Sequence, residues 1–560
     1  MLPERSAFSG SATPPALTPP PSGLIAGLGL ALLYAVSHGL MLIDQGVFHD
    51  DWVLYRVPEA VIRTNIDTSG SRVFTYLHVW LSSPSFAVAL GNWFTFLTYL
   101  ASGLLVWDVL RRTRGLGAAE AWVLAALAIV LPLNLARNLM INNQYSACQL
   151  FFWLAFWVFQ TNELRPRRVV GLTVLAAVLF FGAFLTNSYL VFFILAPLWA
   201  LWHRQPRTLA ALRTEALRLT PWLLLPVAYW LVRTRYFQPS GIHANLHYNE
   251  LTADHLLRVP FEIGRTIYFS LLKPLAVMPR ALASWVVAPL ALGLGGIVLA
   301  VWRGQWLPAV SGLVNRRRAA LGVGVGAALF ALGAFPYVAV GQLPTQVEWS
   351  SRHQLLLPFG EAALLLYGLE LLTSFLSEPL ARRLRQAGLV VLLLLCVGQN
   401  IKFYLQYERD WLKQMSMKRQ FAALPAVQAN TTFLVEDSTR NINIFERSYR
   451  FYEYGGLLRQ AFGDERRFAI TEGEMIQMRD DLPNGLHDLA GHSEHLLSQY
   501  QLTPPQVRLV ILPGAPVTDA QVLARTLHDD PVRDDPAAPL VRVRAEPLAP
   551  GTAPAIEKTK

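Results

Sequence analysis

The sequence predicts a polytopic α-helical membrane protein of about eleven transmembrane helices, N-terminus in and C-terminus out, followed by a small extracytoplasmic α/β domain. Three observations carry that expectation. Of 560 residues, 53% are hydrophobic and only 15% charged, where soluble domains average about 25% charged. The apolar residues fall in blocks of roughly 20, the length a helix needs to cross a bilayer core of about 30 Å. The charge is also unevenly placed: up to Gln406 the chain has 30 basic and 17 acidic residues, and beyond it 18 and 21. The net charge of +10 therefore belongs to the apolar part. This balance excludes a simple soluble enzyme, and it excludes a disordered chain, which low hydrophobicity and high charge keep open. With no Arg/Lys stripe interleaved with aromatics in the tail, nucleic acid is not expected as a partner.

Residues 1–22, rich in Pro and Ser, read as a disordered arm without a cleavage-site pattern, so the first apolar run is expected to stay in the protein. A transmembrane domain then covers 23–406, with windows at 23–43, 85–108, 119–135, 144–160, 169–186, 188–203, 219–234, 283–302, 319–341, 354–375 and 387–405. Cytoplasmic loops carry the Lys/Arg excess. Placing the N-terminus inside puts every basic cluster on that side: Arg111/Arg112/Arg114, Arg165/Arg167/Arg168, Arg204/Arg207/Arg213/Arg218, Arg303/Arg316/Arg317/Arg318 and Arg382/Arg383/Arg385. The odd number of spans leaves the soluble segment 407–560 outside. There, runs at Thr431–Glu436, Arg467–Thr471, Val507–Leu512 and Leu540–Val543 read as strands, and Ile444–Phe462 as a helix.

The segment richest in candidate chemistry opens the first outside loop, 44–84. Asp50 and Asp51 stand side by side just past the first span, flanked by His49, Trp52 and Tyr55. Two adjacent carboxylates at a membrane face repel one another, which raises the pKa of one and gives a poised base; as a helix cap they would do no chemistry. Behind them, residues 56–84 have apolar spacing suited to a helix lying on the membrane surface, with Arg72 among its charges. A second outside segment, 235–282, holds Arg265 and Lys273. A third ends in Arg352 and His353 where the tenth span begins. Cations there fit an anionic partner, because the planar guanidinium holds phosphate oxygens with two hydrogen bonds; as plain interface anchors they would only snorkel. Glu361 and Glu370 are intramembrane carboxylates, functional or bonded between helices.

Other features read as structural. Cys148 and Cys396 lie in apolar spans and form neither a disulfide framework nor a metal site. His487, His492 and His495 match no metal-ligand spacing. Tyr449, Tyr452, Glu453 and Tyr454 read as core packing, with sugar stacking the alternative. Gly293, Gly295 and Gly296, and Gly322, Gly324 and Gly326, read as sites of close helix packing.

The layout of residues 23–405 resembles the GT-C superfamily of glycosyltransferases, which use polyprenyl-phosphate-linked sugars: an acidic pair in the first outside loop, a surface helix behind it, many spans, and a soluble extracytoplasmic domain. Phe184-Leu-Thr-Asn-Ser-Tyr-Leu-Val-Phe-Phe is similar to the polar break in bacterial members of the protein-mannosyltransferase-like branch, with Asn187 and Ser188 where those carry a charged pair. The resemblance implies inverting sugar transfer from a polyprenyl-phosphate donor at the outer face of a bacterial inner membrane. Asp50 would be the general base, Asp51 a second acid, and Arg352 the contact to donor phosphate, aided by His353, Lys273 and Arg265. His49, Trp52, Tyr55 and Arg72 would stand near substrate. The acceptor is an envelope glycan, a lipid or a protein, and membrane lipids surround the chain. No cofactor is required, although some relatives hold a magnesium- or manganese-like cation on the acidic motif. A lipid-linked glycan ligase or polymerase, or a transporter or flippase, is the alternative.

Overall fold

The computed structural model describes residues 23–205, 208–240, 251–293, 315–346, 348–481, 506–527 and 539–548, with 296, 500 and 501. The predicted N-terminal arm, His487, His492 and His495, Gly295 and the end of the 283–302 window lie outside these residues. What is described is a mostly helical protein with one small sheet. Four helical stretches are long and apolar enough to cross a membrane: Gly23–Leu42, Ala87–Arg111, Arg316–Val338 and Glu378–Ala423.

Eleven windows do not become eleven long helices. Ala118–Val130 and Val170–Ala183 are apolar but short. The 188–203 window is divided between Ser188–Phe192 and Leu195–Arg204, and the 219–234 window sits inside Leu209–Tyr236, which carries Pro221 and Pro226. The expected surface helix is two helices, Glu59–Thr68 and Arg72–Ser82. The break falls at Gly70 (φ +80), where a Cβ would come within 2.7 Å of the Phe237 carbonyl oxygen. Both helices bury one apolar face, Ile62, Ile66, Phe74 and Leu81, and the second also exposes Val73, Tyr76 and Trp80.

Lipid is as apolar as a side chain, so helices inside a bilayer gain little from burial and associate by close packing. Arg316–Val338 and Leu357–Thr373 do so through glycine. A Cβ on Gly360 would meet the Phe330 backbone nitrogen at 2.4 Å, and one on Gly326 the Leu364 nitrogen at 2.8 Å. Gly322 is pressed against the Tyr367 ring. At Gly293, Gly296 and Gly324 no described residue lies within 4 Å of an added Cβ.

The basic loops meet at one end of the bundle. Arg168, Arg204 and Arg218 converge on Glu163. Arg318 reaches Glu120 and the Gly115 carbonyl, Trp202 bonds the Arg114 carbonyl, and Arg316 bonds that of Ser374. At the other end, the segment after the first helix packs with the turns Leu135–Asn138, Met140–Asn142 and Glu348–Gln354. There Asn134 N–H donates to Gln354 Oε1 (3.2 Å) and Ala136 N–H to Ser351 Oγ (2.8 Å).

Helix Glu378–Ala423 runs unbroken through the predicted boundary at 406/407; its 46 residues span roughly 70 Å, over twice a bilayer core. The backbone leaves the helix only at Leu424, before Pro425. The segment beyond Gln406 is thus a stalk carrying the sheet, whose order is β2-β1-β3-β4 with β1 (Thr432–Asp437), β2 (Phe468–Thr471), β3 (Val507–Pro513) and β4 (Val541–Pro547). β1 is parallel to β2 and β3, and β4 antiparallel to β3. The predicted helix 444–462 begins only at Phe451, because Phe445 and Glu446 take left-handed backbone conformations. Polar bonds fasten sheet to stalk: Lys413 Nζ binds Asp437 and Asn443 at 2.6 Å each, and Asp410 accepts from the Ile444 N–H and the Tyr449 hydroxyl. Asp519 adds a second tie, to Lys402, Arg409 and Ser284.

Candidate active site

The chain leaves the first helix through an Asx turn. Asp44 Oδ1 accepts the Gly46 N–H (2.7 Å) and Oδ2 accepts from Asn138 (2.6 Å). A Cβ on Gly46 would strike the buried Phe48 ring at 2.0 Å, so only glycine fits. Burial pushes the Asp44 carboxyl up to about 6, against hydrogen bonds from Asn138, Gly46 and Glu408. His49 then adopts φ +50, rare for a residue with a side chain. Its N–H donates to Glu453 Oε2 (3.1 Å), and Glu453 is held in turn by Arg447 through two bonds of 2.5 and 2.6 Å. A buried pair across the sheet domain thus fixes the backbone that presents the acids.

The turn His49–Val53 sends the two aspartates to different partners. Asp50 is half-buried: Oδ1 accepts from the Tyr452 hydroxyl (2.5 Å) and lies 2.8 Å from His49 Nδ1. Burial alone would raise its pKa, but His49, Tyr452 and the Arg352 guanidinium outweigh burial and hold Asp50 below the usual carboxylate range. Asp51 is fully buried, with Oδ1 accepting the Ile141 N–H (2.9 Å) and Oδ2 without a partner among the described residues. Its burial, then the charge of Asp50, push it up to about 7 against the Ile141 and Met140 N–H groups. Adjacent acids were expected to repel; desolvation is the larger effect.

Arg352 is half-buried, acts electrostatically on Asp50, and donates to His353 Nε2 (3.2 Å). His353 is buried, and desolvation followed by Arg352 lowers it to about 3, so it is a neutral acceptor and supplies no charge to a phosphate. Trp52 is also a packing residue: it fills the space over Gly456, where a Cβ would lie 2.2 Å from the indole. Arg459 donates to the Trp52 and Tyr55 carbonyls, and Tyr55 packs edge-on to Trp52. Arg265, Lys273 and Arg72 are exposed, and no described contact joins them to Asp50 or Arg352. Arg265 pairs with Glu262 one turn away, and Lys273 Nζ lies 5.8 Å from the Phe269 ring centre.

Asp50 and Asp51 take different hydrogen-bond partners, Tyr452 and the Ile141 N–H. Among the described residues no three His, Cys, Asp or Glu side chains gather as metal ligands.

Three groups here escaped the sequence reading. Tyr452 and Glu453 read as core, because nothing along the chain ties them to a loop some 400 residues earlier. Arg137 falls between two predicted spans and has no predicted role, yet it is buried. Glu408 read as the start of the small α/β domain and instead lies in the long helix and hydrogen-bonds Asp44. No family model matches the chain, and no curated protein matches it.

Proposed function

We propose that the chain is an inverting membrane glycosyltransferase that moves a sugar from a polyprenyl-phosphate donor to an acceptor hydroxyl at the membrane face opposite its basic loops. In this reading the N-terminus is inside, the eleven windows cross the membrane as whole or broken helices, and Asp50 and the sheet domain lie outside, on a bacterial inner membrane. The observation that supports it most is the half-buried Asp50 carboxylate, held below the usual range by His49 and Tyr452 and, less strongly, by the charge of Arg352 from far along the chain.

Asp50 takes the proton of the acceptor hydroxyl. The oxygen attacks the anomeric carbon opposite the phosphate, the bond from that carbon to the phosphate oxygen breaks, and the configuration inverts. Arg352 neutralises the charge that grows on the departing phosphate. The two groups are coupled. Arg352 helps hold the Asp50 pKa down, so an anionic phosphate that screens Arg352 lets Asp50 rise towards the pKa of an effective base. The resemblance to the GT-C layout points the same way.

The test is Asp50→Asn in purified protein, assayed with labelled polyprenyl-phosphate sugars. Removing a general base costs typically 10²–10⁴-fold, with membrane insertion and unfolding temperature near wild type. Arg352→Ala should weaken donor binding while expression holds.

A further inference from the structure

Arg137 lies in the turn after the third predicted span and is only 6% exposed. Its guanidinium donates to the carbonyl oxygens of Leu133 (2.5 Å) and Asn134 (3.1 Å), which carry no formal charge, and sits 4.8 Å from the Tyr99 ring centre. The groups acting on it most strongly are the phenols of Tyr34, Tyr99 and Tyr404. No carboxylate among the described residues pairs with it. A buried charge without a counter-charge is costly, and such groups are found paired.

The space beside Arg137 is a cavity of about 20 Å³ lined by Tyr34, Tyr99, Asn134, Gln149 and apolar side chains including Phe359. The Tyr34 hydroxyl is fully buried and its proton has no acceptor among the described residues; the buried Gln149 Oε1 is likewise unpartnered. Tyr99 Oη accepts from Asn134 Nδ2 (2.5 Å), which leaves its own proton to give. Guanidinium N–H and phenol O–H groups thus line the cavity, and the Gln149 amide presents its NH₂ when flipped.

We propose that this chamber binds one small monovalent anion of the size and charge of chloride, as the counter-charge of Arg137. The donors supply its shell. The volume accepts about one water-sized particle, the scale of a monatomic anion. The site is separate from the Asp50–Arg352 pair and does not depend on the glycosyltransferase reading.

The test uses the purified full chain in neutral detergent, with sodium chloride exchanged for sodium gluconate at constant ionic strength. A ligand bound only by the folded state raises the unfolding temperature as it saturates. Chloride and bromide should do so, and gluconate should not. Tyr34→Phe removes one O–H donor and keeps the ring, so it should raise the half-saturating chloride concentration about fivefold, the worth of one hydrogen bond. Arg137→Gln, where it folds, should abolish the response. Identical unfolding curves in chloride and gluconate would overturn the proposal. So would a chloride response unchanged in Tyr34→Phe, or saturation by inorganic phosphate without one by chloride.

Discussion

Asp50 and Asp51 are neighbours in sequence with opposite electrostatic fates, and the cause is the partner each meets. Asp51 is fully buried and, among the described residues, accepts from backbone N–H groups. Folded Asp51 keeps its proton up to about pH 7, whereas the unfolded carboxyl releases it near pH 3.9. Stability is therefore lost as pH rises between those values. Asp51→Asn cannot ionise and keeps an oxygen for the Ile141 N–H, so thermal unfolding should show it more stable than wild type at pH 8, by at most about 4 kcal/mol, and equal at pH 4. Asp50 behaves oppositely. Tyr452→Phe removes a hydrogen bond that holds its pKa down, so the acid limb of the pH profile of kcat/KM should move to higher pH with the fold intact. An unmoved limb would show that Tyr452 does not tune the base. The acids themselves were legible from the DD pair after an apolar run. Their division of labour was not, since it depends on Ile141, Tyr452 and Arg352, none of them adjacent in the chain.

Among elements, the pair Arg316–Val338 and Leu357–Thr373 shows what close packing demands. Gly360→Ala puts a methyl against the Phe330 backbone, and overpacking of this kind costs about 1–3 kcal/mol. Gly324→Ala on the same helix pair meets no described residue and should be neutral or slightly stabilising, because alanine favours helix. Comparing the two unfolding temperatures checks that the contact, and not glycine content, holds the helices. Sequence showed that these spans are rich in glycine, but which glycine faces a partner depends on helix rotation, and the apolar windows are apolar on every side. In the sheet domain, Glu453→Gln should cost about 1–3 kcal/mol, because the buried Arg447 loses its closest carboxylate and keeps only Asp410, 4.0 Å away. Glu453→Ala should also release the His49 N–H, so activity would fall further than stability alone explains.

Over the whole molecule, the sheet domain is part of the site and not an appendage. The stalk runs through Gln406 without a break, and Tyr452, Glu453 and Arg459 all reach back to the acidic turn. The four strand positions were legible to within two residues at their starts because β-branched runs are bounded by turns. The stalk was not, because its polar residues, Glu408, Asp410 and Lys413, read as the start of a separate soluble domain when they are the buried seam of an interface. The measurement that bears most directly on the central claim is transfer from labelled polyprenyl-phosphate sugars by Asp50→Asn beside wild type, in vesicles of known orientation. Loss of transfer by 10²-fold or more, with donor still bound and the fold intact, is the predicted result. Transfer at the wild-type rate would contradict it.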